Sequence, residues 1–241
     1  MSWIEPDWPA PARVRAFVTT REGGVSAGEF ASLNLGEKGG DAPANVERNR
    51  AIVRDRLPAD PRWLDQVHGT NVVELDGASG ARARADGAVS AKPGEVAVVL
   101  VADCMPLLLC DRTGGRVGIA HAGWRGMAAG VIENSVAALG VAPAEVIAWM
   151  GPAIGPDAFE VGSDVRDAFA ATDAGSDAAF APHKPGKYLA DLYALARRRL
   201  ARAGVTAVFG GGFCTYHDAE RFFSYRRVRE SGRMGAFIWI A

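Results

Sequence analysis

Apolar and β-branched residues along the chain gather in short runs separated by Gly, Asp, Asn and Pro. Runs at 14–19, 72–75, 96–101, 107–110, 117–120, 146–150, 205–209 and 237–240 have the length of strands, and several have turn residues at their ends. Two stretches have helical spacing instead. Residues 127–139 place Val131, Ser135, Val136 and Leu139 near one face and meet Gly140, suited to a C-terminal cap. Residues 189–203 repeat Leu189, Leu192, Leu195, Ala196 and Leu200, then stop at Gly204. Arg197, Arg198, Arg199 and Arg202 fall in the last turns of that stretch, where they suit the negative helix end. Shorter helices are predicted over 164–171, with Ser163 as N-cap, and over 44–57. The Ala/Asp/Gly-rich stretch 170–181 reads as a surface loop. Strands that are not all joined by helices predict an α/β chain with mixed sheets and not a strict βαβ repeat.

The chain has 241 residues, with neither an internal repeat nor a low-complexity linker, so one domain over residues 1–241 is expected. Hydrophobic residues make up 49% and charged residues 23%, the ordinary mix of a folding globular chain. Basic and acidic residues number 27 and 28, a net charge of -1, which supplies no global positive excess for a phosphate backbone; no nucleic-acid partner is expected. The longest clean apolar run, 96–102, is far short of the ~20 residues that span a bilayer. The first residues show neither the basic start nor the apolar stretch of a signal peptide. Three cysteines in apolar or Gly-rich settings do not form a disulfide framework, and a reducing cytoplasm fits them. A cytoplasmic, membrane-free monomer is therefore expected. Cys110, inside Leu107-Leu108-Leu109-Cys110, reads as a buried small hydrophobe.

The chemistry concentrates at three places. Asp103-Cys104-Met105-Pro106 interrupts two apolar runs, so Cys104 is expected where one strand turns into the next. His121 closes the run Val117-Gly118-Ile119-Ala120 and opens His121-Ala122-Gly123-Trp124-Arg125-Gly126, a strand-to-helix junction. His68 lies in the polar segment Asp65-Gln66-Val67-His68-Gly69. A hairpin over 96–110 followed by a third strand would bring Cys104 and His121 together, although the sequence alone leaves the register open. Imidazole and thiolate are the donors zinc prefers, and three protein ligands with a fourth position left for water describe a catalytic site. The long spacing is no zinc-finger pattern, and on spacing alone each histidine reads more often as a packed or surface residue. Gly69 and Gly123 permit close backbone approach to a ligand. Thr20-Arg21-Glu22-Gly23-Gly24 and Ser32-Leu33-Asn34-Leu35-Gly36 are polar, Gly-rich loops with an arginine suited to phosphate or carboxylate. Phe222-Phe223-Ser224-Tyr225-Arg226-Arg227 adds aromatic faces able to stack a purine or to pack in a core.

Taken together, these segments, with Ala85-Asp86-Gly87 and Gly151-Pro152-Ala153-Ile154-Gly155, resemble the YfiH-like family. Its members were long labelled polyphenol oxidase or laccase-domain proteins and are now regarded as zinc-dependent purine nucleoside phosphorylases. The resemblance implies a single-domain αββα sandwich similar to the catalytic domain of a deamidating bacterial toxin, with zinc held by His68, Cys104 and His121. It also implies phosphorolysis of adenosine, inosine, guanosine and methylthioadenosine to base and ribose 1-phosphate, and deamination of adenosine. Arg21, Ser32, Asn34 and Arg50 are carried over as pocket polar groups that meet nucleoside and phosphate. Of these, Arg21 and Ser32 are the expected phosphate contacts, and Asp86 or Asp103 is the expected acid that protonates the leaving base. A carboxylate beside a metal ligand is as often its orienter.

The older oxidase label does not suit the residues. The chain has four histidines, His68, His121, His183 and His217, with no His-x-His, far too few for a blue-copper site plus a three-copper cluster. The His-x-Glu and Pro-Cys-x-x-Cys signature of nucleobase deaminases is also missing, so deamination needs other acid/base groups. Two further readings stay open: a zinc hydrolase or amidase acting on a cell-wall precursor, and a structural zinc completed by His217 or Cys214.

Overall fold

The computed structural model describes residues 3–75 and 82–241; the first two residues of the N-terminal stretch weighed above as a signal peptide lie outside them. Strict alternation along the strands builds the layers. In β5 (Met105–Asp111), Met105, Leu107 and Leu109 face one apolar layer, and Leu108 and Cys110 face another. Strand β7 (Val146–Met150) divides the same way: Val146, Ala148 and Met150 on one side, Ile147 and Trp149 on the other. Both strands are buried on both faces, so their sheet must be covered twice.

That sheet has six strands, joining β5 and β7 to β2 (Val72–Glu74), β3 (Gly87–Ser90), β6 (Val117–Ala122) and β11 (Ala207–Gly210) in the order β11-β7-β5-β6-β3-β2. It is mixed: β11 with β7 and β2 with β3 are parallel, and the other pairs are antiparallel. One face is covered by α2 (Trp124–Ala129), α3 (Val131–Ala138) and α5 (Leu192–Arg202). The other packs on an antiparallel sheet of β1 (Val14–Val18), β12 (Met234–Ile240) and β4 (Ala97–Val101). The outer face of this second sheet, with Phe17, Val98 and Phe237, is covered by Val53 of α1 (Pro43–Arg54) and by Leu33, Leu35 and Leu57. The succession helix, sheet, sheet, helix is the αββα architecture expected. A small antiparallel sheet, β8 (Glu160–Gly162), β10 (Lys187–Ala190) and β9 (Phe180–Lys184), extends the structure beside α4 (Ser163–Ala170).

Several expectations change. The single helix over 127–139 is two helices, because Gly130 adopts φ 109° and its N–H caps the carbonyls of Gly126 and Met127. The helix expected from 189 begins at Leu192. Asp191 caps it through the Ala194 N–H at 2.9 Å, and residues 187–190 pair as strand β10 instead. Ser163 is the first residue of α4, and Gly162 stands at its N-cap. The segment 170–181 is partly built in: Ser176 and Ala179 are buried, and Asp173 binds Arg198 and Arg202. Most relevant to the site, β4 and β5 do not form a hairpin. They belong to different sheets, and the chain crosses between them at Asp103, which has φ 86°. No helix of the described residues is long and apolar enough to cross a membrane.

Candidate metal centre and its cavity

Register brings the three expected donors together. Strands β5 and β6 form a hairpin in which Met105 pairs with Ala122 and Pro106 with His121, so Cys104, just before β5, reaches the sheet end where His121 sits. Strand β3 pairs Gly87 with Ala120 on the other edge of β6, which sets Asp86 beside His121; the His121 N–H donates to the Asp86 carbonyl at 2.7 Å. The loop carrying His68 folds over this end, held by the same aspartate. Its carboxylate accepts the N–H groups of Val67 (3.1 Å), His68 (2.9 Å) and Gly69 (2.7 Å), which allows His68 its φ of 60°.

The donor atoms of His68, Cys104 and His121 lie within 4.8 Å of one another. The Cys104 Sγ is 3.8 Å from His68 Nε2, and the two imidazoles meet edge to face with centroids 4.7 Å apart. The Nδ1 of His121 is 2.8 Å from Asp86 Oδ1, so this nitrogen donates to the carboxylate and Nε2 is left for a metal. Two Nε2 atoms and one thiolate fit zinc or another soft-to-borderline ion. Gly123 leaves the space for this convergence, since a Cβ there would stand 2.8 Å from Cys104 Sγ and 3.0 Å from His68 Cδ2.

The charges reinforce one another. Burial by itself raises the Cys104 pKa, but the imidazoles of His121 and His68 outweigh it and lower it, favouring the thiolate. Burial lowers that of His121, while the Cys104 thiolate and Asp86 raise it further than burial lowers it. Asp86 is fully buried; burial raises its pKa, and hydrogen bonds from His121, Gly69 and Val67 more than compensate, leaving it below the usual carboxylate value. Cys110 has the opposite fate, its thiol pushed up to about 12 by burial and by Asp111.

The cluster opens into a cavity of about 460 Å³, within the range of ligand pockets. Its wall includes Arg50, Trp63, Arg82, Arg125, Tyr225 and Arg233. A second hollow of about 500 Å³ lies against β1 between Trp3, Trp8 and Trp239, with neither imidazole nor thiol in its lining.

Of the other expected residues, Arg50 lines the cavity, stacked 3.9 Å over Trp63. Arg21, Ser32 and Asn34 do not line it. Arg21 donates to the carbonyls of Ala31 (2.7 Å) and Ala219 (3.0 Å), and Ser32 joins the same loop by accepting from Gly24 N and donating to Arg21 O. Asn34 is fully buried and accepts the N–H groups of Gly36 and Arg233. Neither carboxylate chosen as acid lines the cavity: Asp86 orients His121, and Asp103 accepts from the Thr215 hydroxyl (2.6 Å) and the Arg226 N–H (2.7 Å). His217 and Cys214 lie in a separate hollow with Tyr193 and Arg197, which removes them as a fourth ligand. Arg125 lies in the motif His121-Ala122-Gly123-Trp124-Arg125-Gly126 and Tyr225 in Phe222-Phe223-Ser224-Tyr225-Arg226-Arg227, whereas no sequence motif contains Arg82 or Arg233.

A cluster of two imidazoles and one thiolate, open to a cation-lined cavity at the end of a mixed sheet, defines an α/β protein built around a candidate metal site. Comparison with known proteins is more specific: the chain belongs to the YfiH-like family, matching over residues 15–241 the family model described as multi-copper polyphenol oxidoreductase laccase. It is 56% identical over 240 residues to a Pseudomonas aeruginosa protein named purine nucleoside phosphorylase, covering 99% of this chain and 98% of that relative. Identity to Escherichia coli purine nucleoside phosphorylase YfiH is 52% over 239 residues, 98% of each chain. Among solved structures, Neisseria meningitidis protein NMB0706 superposes with a TM-score of 0.96 at 49% identity, covering 100% of this chain and 99% of that one. YlmD from Geobacillus stearothermophilus gives 0.93 at 32% identity, covering 100% and 96%.

Proposed function

We propose that the chain is a zinc-dependent purine nucleoside phosphorylase that also deaminates adenosine. The observation that carries the proposal is the cavity itself, large enough for a nucleoside, lined by guanidinium groups and open to the His68, Cys104 and His121 donors. The names of close relatives support the same reading. The oxidase description of the family has less support here: among the described residues this is the only cluster of three or more donors placed to hold an ion. Of the other two histidines, His183 pairs with Glu160 and His217 packs on Tyr216.

In phosphorolysis a phosphate oxygen bonds to the ribose anomeric carbon as the bond to the purine nitrogen breaks. With hydrogen phosphate as nucleophile the proton balance closes by itself, because the proton phosphate brings ends on the departing base. The reaction thus takes no net proton from the protein, and Asp86 and Asp103 lie outside the cavity wall. The chain's tasks are to hold an anion with cationic donors, to seat the purine against Trp63 or Tyr225, and to keep the donors of His68 and His121 fixed through Asp86 beside Cys104. Zinc, when bound by those three residues, supplies Lewis acidity at the cavity floor. The proposed substrates are adenosine, inosine, guanosine and methylthioadenosine, and the proposed setting is a cytoplasmic monomer.

The test is product analysis by chromatography after incubating metal-loaded protein with adenosine. Adenine and ribose 1-phosphate are expected only with phosphate present, and inosine with or without it. No cleavage of any purine nucleoside in the presence of phosphate and zinc would overturn the phosphorylase reading in favour of a hydrolase or amidase.

A further inference from the structure

Five cationic side chains line the cavity, and they are not equivalent. Arg50 and Arg82 both bind Glu37, and Lys38 binds Asp65 at 2.6 Å. Arg50 also donates Nε and Nη2 to the Leu35 carbonyl, at 3.0 and 2.8 Å. Each of these three cations thus already contacts one of two carboxylates of the same wall, Glu37 or Asp65, which takes up most of their charge and weakens their pull on a further anion.

Arg125 and Arg233 have no carboxylate partner among the described residues. Arg125 is exposed, and its guanidinium touches the Trp124 ring at 4.4 Å without a hydrogen bond inside the described chain. Arg233 is half-buried, and its Nη1 donates to the carbonyls of Ser231 (2.6 Å) and Gly232 (2.9 Å). Its Nε and Nη2 keep unused donors. The residue is also carefully seated. Asn34 Oδ1 accepts its backbone N–H at 2.9 Å, and Gly36 makes room for its stem, since a Cβ at Gly36 would lie 2.7 Å from Arg233 Cγ. Arg233 lines the same cavity as His68, Cys104 and His121; burial lowers its pKa, and Cys104, Asp103 and Tyr225 counter this in part. A guanidinium partly removed from water, held in place and without a carboxylate in ion-pair contact among the described residues, favours an anion that accepts two hydrogen bonds at once.

We propose that Arg125 and Arg233 form the oxyanion clamp of this cavity and hold inorganic phosphate at the end nearest Cys104. The identity of the anion rests on the phosphorylase reading; the position of the unmatched charge does not. On this assignment Asn34 and Gly36 act on phosphate indirectly, by seating Arg233.

The experiment is calorimetric titration of inorganic phosphate into the full-length, zinc-loaded protein, with zinc content measured in parallel. Arg125→Gln and Arg233→Gln are each expected to weaken phosphate about 10- to 100-fold while zinc content stays at the wild-type level. The remote surface variant Arg112→Gln controls for net charge and is expected to change phosphate affinity less than about twofold. Arg233→Lys restores charge without the fork and is expected to recover part of the loss. If Arg233→Gln does not fold, exposed Arg125 still decides the matter. Wild-type phosphate affinity in Arg125→Gln, or in the double variant, overturns the clamp. The two readings fail separately: a wild-type protein that binds phosphate through these arginines but cleaves no nucleoside sinks the phosphorylase and leaves the clamp. Phosphorolysis with an unchanged phosphate KM in the double variant does the reverse.

Discussion

Asp86 shows how much one side chain carries in this molecule. It accepts three backbone N–H groups of the His68 loop and the Nδ1–H of His121, so two of the three donors take their position from one carboxylate. Asp86→Asn is expected to lower zinc affinity about 10- to 100-fold, read from zinc retained against a competing chelator. Its pH effect has a definite sign. The folded pKa lies below the unfolded one, so the metal-free wild type has the full Asp86 contribution above the usual aspartate value of about 3.9 and loses it as pH falls through the lower folded value. Urea unfolding of the metal-free proteins should show the two stabilities converging toward pH 3; a constant gap down to that pH would contradict the assignment. The cysteines divide as sharply. Cys104→Ala should lose most bound zinc, whereas Cys110→Ala, whose thiol is buried and pushed up to about 12, should keep it. Elemental analysis of the purified variants checks both. The sequence separated the two cysteines, because Asp103 and Pro106 break the apolar runs around Cys104 whereas Cys110 follows three leucines, and the structure places Cys104 in the donor cluster and Cys110 in the core. It could not show that Asp86 binds His121, since that depends on β3 pairing with β6.

At the scale of elements, glycines set apart what the site needs from what the fold needs. Gly130 ends α2 with φ 109°, and Gly130→Ala forces a side chain into that conformation, at a cost of about 1 kcal/mol or more. Gly123 has ordinary extended angles, φ -70° and ψ 158°, but a Cβ there would stand only 2.8 Å from Cys104 Sγ. Gly130→Ala should therefore lower the denaturant midpoint and keep zinc, and Gly123→Ala should do the opposite. Equal behaviour of the two variants in both measurements would show that Gly123 is a fold residue. The elements most legible in the sequence are strands with strong two-faced apolar character, such as 146–150. Least legible are β3, which is short and built from small residues, and β10, whose apolar residues run straight into the α5 pattern. Their pairing partners decide both assignments.

For the whole molecule, the helical layer is tied together by one buried cation. Arg199 of α5 is 6% exposed and meets Glu133 of α3 at 3.1 Å, the Ala128 carbonyl at 2.8 Å and the Thr172 hydroxyl at 2.7 Å. The sequence placed it only among basic residues suited to a helix end. Arg199→Ala should cost about 3 kcal/mol, because it leaves Glu133 half-buried without its partner. The double variant Arg199→Met with Glu133→Leu should recover most of this, as measured by chemical unfolding; a full additive loss would show that the pair contributes little as a pair.

Much of this protein is fixed locally: the alternation that makes each strand two-faced, the donors His68, Cys104 and His121, and the glycine beside them that admits close approach. These follow from the chemistry of neighbouring residues, which a linear reading contains. Which cations stay unpaired does not. Glu37 is shared by Arg50 and Arg82, Asp103 is taken up by Thr215 and Arg226, and Arg21 is used on loop carbonyls; the contacts of Glu37 with Arg82, of Asp103 with Thr215 and Arg226, and of Arg21 with Ala219 join segments far apart in the chain. Charge compensation acts through space, so which arginines of the cavity wall lack a carboxylate partner was decided only when the tertiary structure brought those segments together.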